Sequence, residues 1–246
     1  MITLPGRSLA SSLLAGARDL FFPAFCLGCG RQLGTGRPPL LCPDCRAALV
    51  FSHSPCCTCC GLPFPCGSDH LCGDCLQDLY GFDRACFAVL YSGPVPRLVQ
   101  ELKFLGRTTV LATMASLTVL SGAADRLTEP DLVLPVPLHP SRLRRRGFNQ
   151  SLLIARACFP NWRARIDPDL LVRSRPTVPQ TSLSGRSRRR NLRGAFALRR
   201  NDRLRNGRIL LVDDVFTTGS TVRECVAVLR RAGAARIEVF TLSRSP

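Results

Sequence analysis

The sequence RILLVDDVFTTGST at residues 208–221 decides the fold. Its apolar part, Ile209–Val212, is typical of a strand that is buried on both faces of a parallel sheet. Two adjacent carboxylates, Asp213 and Asp214, follow this strand, and hydroxyl side chains and one glycine come next. From Thr221 to Ala232 the apolar residues recur with helical spacing. The segment is therefore predicted to form a strand, a polar loop and a helix.

Alternating strands and helices are predicted on both sides of this segment. The strands are Ala85–Tyr91, Leu132–Val136, Gly194–Leu198 and Ile237–Leu242, and the helices are Val95–Leu105 and Asn149–Cys158. Strands separated by helices form parallel α/β sheets, whose ligands bind where the strands end. The loop after Ile209–Val212 is therefore the expected place for chemistry.

This loop has the groups that bind a ribose 5-phosphate. Asp213 and Asp214 suit sugar hydroxyls as acceptors, and they keep Mg²⁺ within reach through the sugar. The backbone N–H groups at the start of the following helix can hold a phosphate, assisted by nearby hydroxyls. These hydroxyls belong to Thr217, Thr218, Ser220 and Thr221.

A simpler interpretation of the loop is that Ser220 or Thr221 only caps the helix and that both carboxylates are solvated. Other nucleotide-binding motifs are absent from the sequence. No GxxxxGK[ST] stretch occurs, and the single lysine, Lys103, is followed by Phe104. The ribose-phosphate interpretation is therefore the one that uses all of the loop's polar groups.

The chain has 14 cysteines, eight of which form four C-x-x-C pairs. The first and third pairs are followed by glycine, and the second and fourth read Leu-Cys-x-Asp-Cys, so one unit occurs twice. Two C-x-x-C knuckles supply four thiolates, which close a tetrahedral shell around Zn²⁺. The spacing predicts two structural Zn²⁺ ions in a module over residues 26–80. The predicted ligand sets are Cys26/Cys29/Cys42/Cys45 and Cys57/Cys60/Cys72/Cys75.

Alternatives for the zinc ligands remain open in the second unit. Cys56 and Cys59 have the same spacing as Cys57 and Cys60, although only the latter pair keeps the glycine in register with the first unit. Other residues that could serve as ligands are Cys66, His53 and His70. A disulfide framework is the competing interpretation of the whole module.

Residues 1–25 are predicted to contain a short helix, Ser8–Ala17, which Arg18 and Asp19 interrupt. This start lacks the basic region of a secretory leader. The uncharged stretch at residues 108–124 is shorter than the roughly 20 residues that span a bilayer. We therefore expect a cytoplasmic protein without membrane insertion, in which clustered thiols bind metal.

The composition, with 46% hydrophobic and 21% charged residues, excludes a disordered chain. The net charge of +17 is concentrated in residues 135–208, which contain 19 arginines and 3 acidic residues. Arginine binds phosphate bidentately, so this surplus favours single-stranded DNA as a second ligand. The nearby aromatic candidates for base stacking are Phe148, Trp162 and Phe196. The arginines predicted to bind nucleic acid are Arg142, Arg144, Arg145, Arg186, Arg188, Arg190 and Arg193.

The segment Asp213–Thr221 resembles the phosphoribosyl pyrophosphate (PRPP) loop of type I phosphoribosyltransferases, and the whole arrangement resembles the ComF family of competence-associated proteins. The resemblance includes the paired zinc ribbons and extends over nearly all of the chain from about Phe21 onward. Its further motifs are Val136–Pro140, Arg142–Gln150, Pro179–Ser184, Arg189, Asn191 and Gly194–Phe196.

The resemblance implies an α/β fold: a type I phosphoribosyltransferase-like domain at residues 83–246, with a Rossmann-like parallel sheet, preceded by the double zinc-ribbon module. Asp213 and Asp214 would hold the ribose hydroxyls. Residues of the PRPP loop would bind the 5-phosphate, namely Val215, Phe216, Thr217, Thr218, Gly219, Ser220 and Thr221. The pyrophosphate loop and a flap at residues 174–193 would contribute Pro137, His139, Arg146, Gln180 and Arg189.

Two functions are compatible with these residues. The resemblance implies a PRPP-fold protein that binds single-stranded DNA and partner proteins of the competence machinery during DNA uptake or handling. The alternative is an active phosphoribosyltransferase that moves ribose 5-phosphate from PRPP to an unidentified small acceptor. Such catalysis needs Mg²⁺ and guanidinium groups on the leaving pyrophosphate rather than a protein nucleophile.

Overall fold

A computed structural model describes residues 23–34, 38–175, 192–200 and 204–245, so the helix predicted at Ser8–Ala17 lies outside the described residues. The strands are β1 (Arg84–Leu90), β2 (Leu132–Pro135), β3 (Leu171–Arg173), β4 (Phe196–Leu198), β5 (Arg208–Phe216) and β6 (Arg236–Arg244). The helices are α1 (Pro43–Ala47), α2 (Gly73–Leu76), α3 (Val95–Leu105), α4 (Val110–Leu120), α5 (Pro140–Arg146), α6 (Gln150–Cys158) and α7 (Ser220–Arg231), with a 3₁₀ helix at Pro160–Arg165.

The main sheet has four strands in the order β1-β6-β5-β2, and every neighbouring pair is parallel. The two central strands, β5 and β6, are nine residues long and pair as far as Phe216 and Arg244. The parallel α/β class predicted from the sequence is therefore confirmed. Since β5 is central, its carboxyl end lies between those of β2 and β6.

Apolar side chains cover both faces of the sheet. On one face, α3, α4 and α6 pack against Leu210, Val212 and Phe240. On the other face, α7 packs against Leu211 and Val239, together with cysteines of the second zinc ribbon. Burial on both faces explains why these strands are almost continuously apolar.

The described structure differs from the sequence expectation at β5. We expected the strand to end at Val212 and the two carboxylates to lie in the loop, but β5 continues through Phe216. The physical reason is the parallel pairing with β6, which continues past the carboxylates with Asp213 opposite Thr241. Asp213 and Asp214 are consequently 8% and 5% exposed, so the interpretation of solvated carboxylates is wrong.

Helix α4 lies within the uncharged stretch at residues 108–124, for which no element was predicted. It packs against β1 and α6, with Val110, Met114 and Leu117 buried. In the part of the chain that the structure describes, no helix is long and apolar enough to cross a membrane.

A two-stranded antiparallel sheet, β3–β4, flanks the gap at residues 176–191. Its last pair joins Arg173 to Phe196, and Ser174 N–H donates to Ala195 O over 3.0 Å. The described residues on either side of the predicted flap therefore lie next to each other. They also lie near α7, where Gly194 N–H donates to Glu224.

Candidate functional site

The acidic pair at the end of β5 is buried and held by specific hydrogen bonds. Asp213 Oδ1 accepts from the Ser151 hydroxyl on α6 and from Asp214 N–H, each over 2.9 Å. Asp214 Oδ1 accepts from Val215 N–H over 2.9 Å. Burial and the adjacent Asp214 carboxylate raise the pKa of Asp213 to about 7, although the charge of Lys103 opposes the shift. Two carboxylates are thus fixed at the edge of one cavity.

Lys103 is a member of this site that the sequence interpretation missed. Its ammonium group, at the end of α3, forms an ion pair with Asp214 Oδ2. The two residues are far apart in the chain, and Lys103 has no motif around it, so only the fold brings them together. Because Lys103 is the single lysine of the chain, its rarity was the one available signal.

The phosphate loop runs from Thr217 to Gly219 and enters α7 at Ser220. Thr217 and Thr218 are exposed to solvent, whereas Ser220 is buried. The hydroxyls of Thr218 and Ser220 lie 2.8 Å apart. The loop therefore places hydroxyls beside the N–H groups at the start of a twelve-residue helix, an arrangement that suits a phosphate.

Gly219 is required by both its backbone angle and its surroundings. It has φ +66°, and a Cβ there would lie 2.4 Å from Cε1 of Tyr80 and 2.8 Å from Cζ of Phe216. The Tyr80 ring is itself fixed, because it stacks on Phe82 at 5.3 Å and its hydroxyl donates to Asp74 over 2.7 Å. Asp74 belongs to the second zinc ribbon, so this ribbon contacts the phosphate loop through one aromatic ring.

A cavity of about 460 Å³ joins the acidic pair, the phosphate loop and several cationic side chains. That volume is within the usual range for small-molecule sites. Burial lowers the pKa values of Arg142, Arg146 and Arg173, yet a guanidinium stays charged at neutral pH. Arg146 also donates to Gln150 Oε1 over 2.6 Å. The cationic residues that line the cavity are Lys103, Arg142, Arg145, Arg146 and Arg173.

The structure places the other predicted site residues in different surroundings. Pro137 and all seven residues from Val215 to Thr221 line the cavity. His139 instead caps α5, where its Nδ1 lies 2.7 Å from the Ser141 hydroxyl. Arg144 and Arg193 are exposed, and neither lines the cavity. Outside the described residues are Gln180, Arg186, Arg188, Arg189 and Arg190.

The aromatic residues expected to stack bases are packed into the fold. Phe196 is 5% exposed, so the prediction is wrong for this residue. Trp162 stacks on Phe159 at 5.1 Å, and Phe148 is half-buried against the core. Two aromatic residues of the described chain line the cavity: Phe216, which is buried, and Phe104, which is exposed at the end of α3. Phe104 and Arg173 are cavity residues that the sequence interpretation did not assign.

The two cysteine tetrads each gather around one point. Within each group the four sulfur atoms lie within 4.8 Å of one another, and the groups are Cys26/Cys29/Cys42/Cys45 and Cys57/Cys60/Cys72/Cys75. A tetrahedral Zn²⁺ with Zn–S bonds of about 2.3 Å separates its sulfurs by roughly 3.8 Å. The observed distances are 3.6 Å for Cys29 to Cys42 and 3.7 Å for Cys60 to Cys72. The geometry therefore fits structural zinc, with the second tetrad in the Cys57/Cys60 frame.

Backbone amides favour thiolates in both tetrads. Cys26 Sγ accepts from Cys42 N–H over 3.2 Å, and Cys57 Sγ accepts from Cys72 N–H over 3.3 Å. Burial opposes ionisation, but these and neighbouring N–H groups lower the pKa values of Cys26 and Cys57 to about 6. Since the thiolate is the metal ligand, the stabilisation of thiolates by these N–H groups also supports zinc binding.

These observations define a class: a phosphoribosyltransferase-type α/β domain joined to a double zinc ribbon. Comparison with known families agrees. The double zinc ribbon domain matches residues 17–76, and the phosphoribosyl transferase domain matches residues 169–246.

Relatives extend the match to most of the chain. The chain is 36% identical over 224 residues to DNA utilization protein YhgH of Escherichia coli (strain K12), covering 89% of this chain and 90% of that protein. It is 32% identical over 235 residues to Competence protein F of Haemophilus influenzae, covering 92% and 99%. With Competence protein ComFC of Streptococcus pneumoniae the identity is 30% over 162 residues, covering 65% and 67%. The chain therefore belongs to the ComF family of competence-associated proteins.

Proposed function

We propose that this protein binds PRPP or ribose 5-phosphate in the cavity at the end of β5 and binds single-stranded DNA during DNA uptake or handling. The observation that carries the proposal is the meeting of a buried acidic pair, a phosphate loop and five cationic side chains in one cavity. The relatives are named as DNA utilization and competence proteins, which supports the second half of the proposal.

The arrangement assigns a part of the ligand to each group. The phosphate loop and the first two residues of α7, residues 217–221 in all, would receive the 5-phosphate. The Asp213 and Asp214 carboxylates would accept hydrogen bonds from the ribose hydroxyls. Ser151 orients the Asp213 carboxyl, since its hydroxyl donates to Oδ1. Mg²⁺ bound with PRPP would neutralise pyrophosphate charge. The guanidinium groups of Arg142, Arg145 and Arg146 face the same cavity and would bind the remaining phosphates.

Calorimetric titration of PRPP, with and without Mg²⁺, tests the ribose-phosphate half. We expect Mg²⁺-dependent binding, and we expect Asp214→Asn to weaken it at least about tenfold, because the substitution removes one charge-assisted acceptor. Asp169→Asn is the matched control, since Asp169 is exposed and lies away from the cavity lining. Equal affinities of the wild type and Asp214→Asn, with unchanged melting temperatures, would refute the assignment.

The DNA half depends on the basic surface around the cavity. Replacement of Arg144, Arg145 and Arg146 by alanine removes three adjacent guanidinium groups, two of which line the cavity. We expect weaker binding of a fluorescent oligonucleotide and a shallower dependence of affinity on salt. The control replaces three exposed arginines elsewhere, namely Arg156, Arg163 and Arg199. It removes the same charge and should have a smaller effect on DNA binding. A flat salt response of the wild type would remove the DNA assignment.

A second candidate function is phosphoribosyl transfer to a small acceptor. The favouring observation is that both carboxylates are buried and fixed, whereas binding of phosphate alone would not need them. In this reaction the acceptor forms a bond to ribose C1 while the bond from C1 to pyrophosphate breaks, and the electron pair leaves with pyrophosphate. Acceptor-dependent release of pyrophosphate, assayed with bases, amines and single-stranded DNA, would establish the activity; PRPP binding without release for any of them would favour a binding module.

Several other assignments remain proposals. The boundaries of the zinc-ribbon module at residues 26–80 and of the α/β domain at residues 83–246 are predictions, as is the role of residues 174–193 as a flap. We propose competence-machinery proteins as partners. We also propose the cytoplasm as the location, because the cysteine tetrads need reduced thiolates to hold zinc.

A further inference from the structure

One large apolar side chain is exposed at the edge of the cavity. Phe104 is 72% exposed although it belongs to a helix whose other face is buried in the core. It lines the same cavity as the phosphate loop, and its neighbour Lys103 reaches Asp214. An aromatic ring therefore stands in water beside groups that suit a sugar and a phosphate.

The ring of Phe104 has a cationic neighbour. The guanidinium carbon of Arg146 lies 5.9 Å from the ring centroid, within the range of a cation–π contact. Arg146 is itself oriented by its hydrogen bond to Gln150. Through this contact the end of α3 is joined to α5, and the ring lies next to a side chain that binds phosphate well.

The combination of groups specifies a ligand class. Carboxylates suit ribose hydroxyls, loop N–H and hydroxyl groups suit phosphate, and an exposed aromatic ring offers a flat apolar face. A nucleotide carries all three complementary parts, because every base has a face that stacks on an aromatic ring. Among the described residues, the other aromatic candidates near the cavity are packed into the core. Phe104 is therefore the one whose position allows it to stack on a base.

We propose that Phe104 is the stacking residue for a nucleobase bound at the mouth of the ribose-phosphate cavity. This inference rests on the proposed function, since the ribose-phosphate site fixes the sugar from which the base extends. The base could belong to single-stranded DNA or to a free nucleotide, and both sources present the same chemistry.

The test compares ligands that differ only by the base. With full-length protein, fluorescence anisotropy measures the affinities of an oligothymidylate of about 12 nucleotides and of an abasic strand with the same number of phosphates. A second pair is uridine monophosphate and ribose 5-phosphate, measured by calorimetry. We expect the wild type to bind the base-containing member about tenfold more tightly in at least one pair.

The variants assign this difference to the ring. In Phe104→Leu the preference for the base-containing ligand should fall to near unity, whereas Phe104→Trp should retain or increase it. Leu105→Ala is the matched control, because Leu105 is 62% exposed on the same helix end and does not line the cavity. A difference in the oligonucleotide pair alone identifies DNA as the source of the base, and one in the mononucleotide pair identifies a free nucleotide.

Two outcomes would overturn the inference and differ from failure of the proposed function. One is equal affinity of the wild type within both pairs, and the other is a preference that persists in Phe104→Leu. In either case the ribose-phosphate and DNA sites would stand. If the wild type bound neither pair, the proposed function itself would fail, together with the stacking role that depends on it.

Discussion

The two zinc ribbons repeat one sequence pattern but have different neighbours. In the first ribbon, Cys26 and Cys42 form a small core of their own with Leu41. In the second, Cys57, Cys60 and Cys72 belong to the same core as β5 and α7. The repeat therefore predicts the same metal chemistry twice. The contribution of each ribbon to the stability of the fold, however, depends on where the ribbon packs.

Polar contacts follow the same division. The first ribbon contacts the α3/α4 side, where Arg97 donates to Gly28 O over 3.2 Å and Leu40 N–H donates to the Thr113 hydroxyl over 2.9 Å. The second ribbon receives a hydrogen bond from Arg244 of the central strand β6 to Cys60 O over 3.3 Å. It also reaches the phosphate loop through Asp74 and Tyr80. We therefore expect the second ribbon to support the functional site directly.

The largest expected effect is a contrast between Cys60→Ser and Cys29→Ser. Each should remove one of two zinc ions, measured by elemental analysis. Cys60 is fully buried in the main core, so its loss should lower stability by about 4 kcal/mol or more and the melting temperature by roughly 8–16 °C. Cys29 is exposed and belongs to the first ribbon, which has a separate core, so the main transition should shift by less than about 4 °C. Equal shifts of the main calorimetric transition would contradict the division between the ribbons.

A smaller effect is expected for Gly219→Ala. The added Cβ would collide with Tyr80, which stacking and its bond to Asp74 hold in place, and its φ of +66° disfavours alanine. We expect a loss of about 1–3 kcal/mol and at least tenfold weaker PRPP binding. Gly67→Ala is the control, since Gly67 has φ +97° but open space around it. Unchanged PRPP affinity in Gly219→Ala would contradict the role of the contact between this loop and the second ribbon.

The acidic pair should make stability depend on pH. The folded-state pKa of Asp213 is raised to about 7, from about 3.9 in an unfolded chain. The folded state therefore binds this proton more tightly, and stability should fall as the pH rises through this interval, by on the order of 2 kcal/mol between pH 5.5 and 8. Asp213→Asn keeps the acceptor for Ser151 and should flatten the dependence between pH 5.5 and 8. Melting curves of the zinc-loaded, ligand-free protein test this, and an unchanged pH slope in the variant would contradict it.

The smallest expected effect is that of Tyr80→Phe. It removes only the hydrogen bond to Asp74, which should cost about 1 kcal/mol of stability. PRPP affinity should fall about twofold to threefold, because the ring still contacts the loop. Asp74→Ala removes the acceptor and tests the same bond from the ribbon side. If the two substitutions act through this bond, the double variant should lose no more than either single variant.

Much of the fold was predictable because burial leaves a clear pattern. Helix Val95–Leu105 and the parallel strands follow apolar spacing, and they were expected within a few residues of their observed bounds. The end of β5 was not predictable, since adjacent carboxylates indicate a loop unless the partner strand is known to continue. Helix α4 was missed because residues 108–124 have no charged face to reveal helical spacing.

The site was predictable where its residues adjoin in sequence. The acidic pair, the phosphate loop and the cysteine tetrads each form local motifs, and the structure brings their members together. Lys103 and Phe104 join the cavity only through packing of α3 beside β5, which no local pattern encodes. His139 shows the reverse case, because its place in a motif suggested a ligand contact while the structure uses it as a helix cap.

The ion pair between Lys103 and Asp214 gives this protein a built-in reporter. Lys103 carries the only side-chain amine in the chain, so reductive methylation with a ¹³C label introduces a single side-chain signal, besides that of the α-amino group. That signal arises beside the carboxylate that we expect to hold ribose. Occupancy of the cavity can therefore be followed by nuclear magnetic resonance from one labelled side chain, without mutation and without knowledge of the acceptor.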